Sequence, residues 1–220
     1  MILLIRHGEA EHHVKALTGG WTDSCLTADG KVQMEKLAAV LKKDFAGRKP
    51  PRLAASDLQR CQLGAAILKK ALGIKEMILF EALREKNNGK AAGKSVIAAK
   101  AFYHAPKTGR ELDHRNYDEG ETRREFYERT IDGIKDVLSG TEDLIIVAHK
   151  GSIQNILFYW MGYSIDEVAF KKVSFDIRPA SLTMIGINKW DEHAIFLLND
   201  LSYLRSDEKI GSIIYFGALK

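Results

Sequence analysis

Four short apolar runs, at residues 2–5, 52–55, 77–80 and 144–148, alternate with stretches of helical periodicity. That alternation restricts the chain to the α/β layer folds. The run Ile2-Leu3-Leu4-Ile5 is unbroken by polar residues, as expected of a strand buried on both faces of a parallel sheet. From Thr27, read as an N-cap, Met34, Leu37, Ala38, Leu41 and Phe45 recur at helical spacing until Gly47 and Pro50-Pro51 close the segment. Ser56-Asp57 is read as the cap of a second helix, with Leu58, Cys61, Ala65, Leu68 and Leu72 on one stripe and Gly73 at its end. Thr122 and Glu125 form a capping box for a third helix, whose face carries Tyr127, Ile131, Ile134 and Leu138 and which Gly140 stops. Residues 151–162 read as the helix after the fourth run, with Ile153, Ile156, Leu157 and Trp160 on one face. Residues 182–187 and 194–198, joined by a polar segment, read as a hairpin. The sum is a mostly parallel, mixed sheet with at least one antiparallel member.

One stretch breaks the alternation. Residues 86–121 contain Gly89, Gly93 and Gly109, a short helical candidate at 95–103, and the spaced bases Lys86, Lys90, Lys94, Lys100, Lys107, Arg110 and Arg115. The chain is therefore expected to be a single domain over 1–220, with 86–121 as an insert that shapes the mouth of a site. The spaced bases are either a solvated face or a collar for a substrate with a second anionic group. The tail at 210–219 reads as an added edge strand, with an oligomer contact as the alternative, so a homodimer stays open.

Charge and cysteine usage narrow the partners. Lys plus Arg number 33 against 29 Asp plus Glu, and the bases are interleaved with acids, so no nucleic-acid footprint is expected. The apolar start is too short for a membrane span or a signal core, so no membrane partner is expected. Two cysteines, Cys25 and Cys61, are too few for a disulfide framework or a thiolate zinc site, which favours a reducing, cytoplasmic setting. Cys61 lies on an apolar stripe and reads as a small buried side chain. His12 and His13 read as exposed loop residues with no third metal ligand at recognisable spacing, and His104, His114 and His193 as surface residues.

Ligands of open α/β sheets sit beyond the carboxyl ends of the strands. There the sequence places Arg6-His7-Gly8-Glu9, Arg60, Arg84-Glu85 and His149-Lys150-Gly151. Phosphoryl transfer uses such an inventory: guanidinium forks for phosphate oxygens, an imidazole to attack phosphorus, and a carboxyl group to protonate the leaving alkoxide. Gly8 and Gly151 would let backbone approach the phosphate closely. Arg6, Arg60, Arg84 and Lys150 would gather into one pocket the positive charge that the net +4 hides.

These residues, in order with Gly20-Trp21, Asp23, Leu26-Thr27, Gly30, Ser56-Asp57-Leu58, Leu83, Gly89, Gly120-Glu121-Thr122 and Asn199-Asp200, resemble the histidine phosphatase (phosphoglycerate mutase-like) superfamily. The resemblance implies a three-layer α/β/α sandwich, no metal and no cofactor. It makes His7 the nucleophile, Arg6, Arg60 and His149 the rest of the phosphate pocket, and Glu85 the general acid, with Glu9 as the alternative proton donor. The chain departs from the pattern at His13, where Asn is usual and which remains a candidate phosphate contact. It departs again at Cys61 in place of Ala, at Lys150 in place of a second Gly, and at Lys90-Ala91-Ala92-Gly93 in place of Trp-Glu-Gly. Lys150 is carried as a further phosphate-side candidate. Glu121 has a role at its helix start, and a phosphate-side role for it rests on the resemblance alone. The implied activity is hydrolysis of a small-molecule phosphate ester through a phosphohistidine, of the histidine acid phosphatase type. The alternatives are mutase-type phosphoryl transfer, disfavoured by the length of 220 residues, and a weakly active phosphate-binding regulatory module.

Overall fold

The computed structural model describes residues 1–205 together with 213 and 214. In chain order its elements are β1 (Ile2–Arg6), α1 (Glu11–Val14), α2 (Ala28–Asp44), β2 (Arg52–Ser56), α3 (Gln59–Leu72), β3 (Ile78–Phe80), α4 (Val96–Ala99), α5 (Arg123–Leu138), β4 (Leu144–Ala148), α6 (Lys150–Trp160), α7 (Ile165–Lys171), β5 (Leu182–Ile187) and β6 (His193–Asp200). The strands form one sheet in the order β3-β2-β4-β1-β5-β6. β3, β2, β4 and β1 run parallel, while β5 pairs antiparallel with β1 and β6 antiparallel with β5.

The period of two along each strand sorts side chains into two cores. Leu3, Ile5, Leu53, Ala55, Ile145 and Val147 face one way and pack with Met34, Leu37 and Leu41 of α2 and Cys61, Ala65 and Leu68 of α3. Ile2, Leu4, Ala54, Leu144, Ile146 and Ala148 face the other way, against Ile134 and Leu138 of α5 and Ile153, Ile156 and Leu157 of α6. Helices on both faces of the sheet make a three-layer α/β/α sandwich, as expected. A smaller cluster of Leu112, Phe158, Ile165, Val168 and Ala169 ties the end of the 86–121 excursion to α6 and α7.

Local signals set the helix ends. Thr27 Oγ1 accepts from Gly30 N at 2.9 Å, and Thr122 and Glu125 close their capping box. α3 starts later than Ser56-Asp57: its N-cap is Leu58, whose amide donates to Ser56 Oγ, while Asp23 from a distant loop accepts from Gln59 N at 2.8 Å. Asp57 is engaged elsewhere, by Arg84. β3 departs from the buried pattern, since Ile78 is 45% and Leu79 42% exposed, as fits an edge strand. Of the tail read as a strand, only Ile213 and Ile214 are described. They are irregular, with both amides donating to Asp44 Oδ2, and the rest of 210–219 lies outside the described residues.

The parallel register aligns the carboxyl ends of the three central strands, Arg6 opposite Ala148 and Ala55 opposite Val147. The residues that follow these strands therefore converge. Thr122→Ala should remove one of the caps without touching that edge, lowering stability by about 1 kcal/mol, read as a lower urea midpoint at unchanged m-value.

Candidate active site

His7 follows β1 and is 2% exposed. Its amide donates to Ala148 O at 3.0 Å, which ties the nucleophile candidate to the end of β4. Its Nδ1 lies 2.7 Å from Gly8 O. A carbonyl only accepts, so Nδ1 carries the proton and the Nε2 lone pair is left free. Burial, reinforced by His149, Arg60 and Arg6, holds this imidazole well below its ordinary pKa, so it is neutral.

Arg60 is 1% exposed in the first turn of α3. Its guanidinium donates to Thr22 O at 2.5 Å, Gly20 O at 2.8 Å and His149 Nδ1 at 3.3 Å. Arg6 donates to Ile177 O at 2.7 Å, and its buried Nε has no partner among the described residues. Both guanidinium groups are lowered in pKa by burial, and Glu85 is the acidic group that faces both. Two enclosed cations share one half-buried carboxylate, the other acids that act on them, Asp176 on Arg6 and Asp23 on Arg60, being exposed, and this leaves positive charge in the pocket suited to a phosphate dianion.

His149 is 1% exposed, and its ring meets His7 edge-on at 5.1 Å between centroids. With Nδ1 accepting from Arg60, Nε2 carries the proton and donates to Ser56 Oγ at 3.0 Å. Donation from His149 to a phosphoryl oxygen therefore requires the ring to rotate so that its Nε2–H leaves Ser56, a partner that the sequence did not single out. Cys61 Sγ lies 3.4 Å from His149 Nε2, and burial pushes its thiol up to about 12, so it is inert packing as expected.

His12 and His13 depart from the exposed-loop reading. They sit on the single turn α1, and His12 is 6% exposed with Nδ1 on Ser24 Oγ at 2.7 Å. His13 stacks on His7 at 5.7 Å; its Nδ1 accepts from Ala10 N at 3.2 Å, and its Nε2 lies 3.2 Å from the Arg6 guanidinium. With Nδ1 accepting, Nε2 is a donor facing a donor, an arrangement that an anion between the two groups would satisfy. Burial lowers His12 to about 3 and His13 to about 4, each helped by Arg6 and Arg60. Among the described residues no group of His, Cys, Asp and Glu is placed to hold a metal ion.

Glu85 Oε2 accepts from Gly151 N at 3.0 Å, and its Oε1 accepts from Lys86 N at 2.9 Å. A side chain at Gly151 would collide with Glu85 Oε1 and the Phe126 ring, so this glycine makes room for the acid. At Gly8 a side chain would meet Gly30 O at the start of α2, so this glycine allows two backbones to cross. The Glu85 carbonyl is fixed by Trp21 Nε1 at 2.8 Å and by Arg129, which is itself gripped by Glu121 at 2.6 and 2.9 Å. Glu9 Oε1 accepts from Thr27 Oγ1 at 2.8 Å, which engages the alternative donor in the cap of α2.

The structure does not place Arg84 in the pocket. Its guanidinium is locked on Asp57 at 2.8 and 2.6 Å and stacks over Trp21, so it braces the loop. Lys150 Nζ rests on Asp176 at 3.1 Å, 43% exposed, on the wall of a cavity shared with Glu85. Three of the seven bases of the supposed collar are engaged elsewhere: Lys90 pairs with Glu119, Arg115 with Glu125, and Arg110 lies over Phe170. His104 pairs with Asp118 at the surface, and His193 stacks on Trp160.

Residues 2–200 match the Histidine phosphatase superfamily (branch 1). The chain belongs to that superfamily. Catalysis in histidine phosphatases proceeds through a phosphohistidine. The chain is 30% identical over 195 residues to a broad-specificity phosphatase of Saccharomyces cerevisiae, covering 86% of this chain and 80% of the relative. It is 27% identical over 186 residues to a 2,3-bisphosphoglycerate-dependent phosphoglycerate mutase of Bartonella bacilliformis, covering 79% and 87%. The same fold recurs in a mycobacterial glucosyl-3-phosphoglycerate phosphatase, at TM-score 0.72 and 21% identity over 90% of this chain and 98% of that one. It recurs also in the alpha-ribazole phosphatase of Shigella flexneri, at TM-score 0.72 and 19% identity over 90% and 96%. Among the described residues no helix of this histidine phosphatase is long and apolar enough to cross a membrane.

The histidines also couple the site to stability. His12 and His13 have folded pKa values of about 3 and about 4 against an ordinary 6.5, so between those limits the unfolded chain binds more protons. Their contribution is complete above pH 6.5 and is lost as pH falls toward 4 and then 3. Urea midpoints should drop from pH 7.5 to pH 5, and a His12→Asn, His13→Asn double variant should show a shallower drop.

Proposed function

We propose that this protein is a phosphomonoesterase of the acid phosphatase type that hydrolyses a small phosphate ester through phosphorylated His7. The observation that carries the reading is the state of His7: neutral, fixed through Nδ1 on Gly8 O, and presenting a free Nε2 in a pocket with two buried guanidinium groups. Arg6, Arg60 and His13 hold the phosphoryl oxygens, with His149 joining them once its Nε2 proton leaves Ser56, and Lys150 stands at the rim. Nε2 forms a bond to phosphorus as the ester P–O bond breaks. The leaving oxygen takes the electron pair and a proton from the Glu85 carboxyl group. The resulting Glu85 carboxylate then takes a proton from water as that water attacks phosphorus; the P–N bond breaks, and neutral His7, phosphate and protonated Glu85 are restored. Positive charge fixed before the substrate arrives stabilises the charge spread over the equatorial oxygens of both transition states.

The acid character follows from burial. An imidazole held well below 6.5 stays neutral as pH falls, and so keeps its nucleophilic lone pair where an exposed histidine would lose it. With p-nitrophenyl phosphate as substrate, kcat/KM should hold on its acid side through pH 6.5 and fall only below it; an acid limb at or above pH 6.5 would contradict the neutral-His7 assignment.

Glu85→Gln should lower kcat/KM, which reports the phosphorylation step, by ~10²-fold or more for alkyl phosphates and much less for p-nitrophenyl phosphate, because nitrophenolate leaves without a proton. Equal losses on both substrates would remove Glu85 from the donor role. Release of phosphate from 3-phosphoglycerate with no isomer formed separates hydrolysis from the mutase activity that shares the same nucleophile.

A further inference from the structure

A cavity of about 400 Å³ opens beside the phosphate pocket, with Glu85 and Gly151 at the shared end. Phe126 and Phe158 supply apolar wall, and Lys86 and Arg123 supply positive charge. Arg123 is half-buried at the start of α5, and its guanidinium has no hydrogen bond or ion pair to any described residue. Its neighbour Arg124 shows the ordinary alternative, paired with both Asp113 and Asp166. Lys86 Nζ has a neutral partner, Asn116 Oδ1 at 3.1 Å; burial lowers its pKa and the Arg123 charge adds to that lowering, against the opposing charges of Glu121, Glu85 and Glu125.

The acidic groups that could neutralise this pair are committed elsewhere. Glu121 is held by Arg129, Glu125 by Arg115, Glu111 by the amides of Thr108 and Arg110, and Glu85, whose charge also acts on Lys86, by the amides of Gly151 and Lys86. Two partly buried cations facing one cavity without a contacting carboxylate form an unfavourable arrangement that an anion would reverse. The nearness of this pair to Glu85, the proposed donor to the leaving oxygen, places the anion on the alcohol side of the ester.

We propose that the cavity receives the alcohol portion of the substrate and that Arg123, with Lys86, binds a second anionic group on it, a carboxylate or a second phosphate. Phe126 and Phe158 then cover the short carbon skeleton between the two charged ends. This rests on the reading of His7 and Glu85 as the reacting pair, and names the substrate class for it: small phosphate esters with an anionic substituent.

The test compares two esters that differ at one group, 3-phosphoglycerate and glycerol 3-phosphate, the first ending in a carboxylate where the second has a hydroxymethyl. The readout is the ratio of their kcat/KM values, so that differences in folding or active fraction cancel. Arg123→Gln should lower the ratio about tenfold or more, the loss expected for a charge-assisted contact. Lys86→Met should lower it in the same direction, and Arg124→Gln, whose guanidinium is paired away from the cavity, should keep the wild-type ratio. A ratio unchanged in both Arg123→Gln and Lys86→Met would overturn the proposal, as would an equal fall in Arg124→Gln. Turnover of p-nitrophenyl phosphate and its loss in His7→Ala report separately on the hydrolytic reading, so failure of one is distinguishable from failure of the other.

Discussion

Two guanidinium groups enclosed against one carboxylate are the constraint that the rest of the site answers. Desolvating Arg60 is tolerable only because the carbonyls of Gly20 and Thr22 and the His149 ring meet its N–H groups. Those carbonyls come from a loop far from Arg60 in sequence, which explains why that loop is tied down from several sides. Asp23 caps α3 next to Arg60, and Trp21 is sandwiched near Arg84 and bonded to the Glu85 carbonyl. Burial, reinforced by the same positive charge, lowers the pKa values of the surrounding histidines and keeps them neutral. On the proposed reading, the enclosure that suits the pocket to a dianion also keeps His7 neutral as the nucleophile.

Glu85, the proposed acid, is positioned by a second chain of contacts. Glu121 grips Arg129, Arg129 reaches the carbonyls of Arg84 and Glu85, and Asn87 N donates to Glu121. The motif residue Glu121 thus acts on the backbone of the acid rather than on phosphate. Gly151 completes the arrangement by leaving space for the Glu85 carboxyl group while donating its amide to it. In this chain the Trp-Glu-Gly pattern after the acid is absent, yet the acid is held, because the restraint comes from α5, α6 and the Trp21 loop.

Elements with one dominant local signal were legible in the sequence. The buried strands could be read because apolar residues on both faces leave no polar interruption, and α2 and α5 because Thr27 and Thr122 cap them. α7 carried an equally good signal, the Ser164 and Glu167 capping box, which the sequence reading passed over. His12 and Arg84 were misplaced for a different reason: whether a histidine is buried or an arginine is paired depends on residues such as Ser24 and Asp57 that only tertiary packing brings near. Ser56 was missed as a partner of His149 because a serine ending a strand looks like an ordinary cap. Arg123 left no signal at all, since it is defined by partners that it lacks among the described residues.

The central claim is that His7 carries the phosphoryl group. Glu85→Gln mixed rapidly with p-nitrophenyl phosphate needs no proton for the first step and lacks the base for the second, so the intermediate should accumulate. Quenching in alkali and mapping peptides should show an acid-labile, alkali-stable phosphate on His7, formed with the burst of nitrophenol. A nitrophenol burst with phosphate on any other residue, or turnover with no phosphorylated protein at any time, would contradict the account.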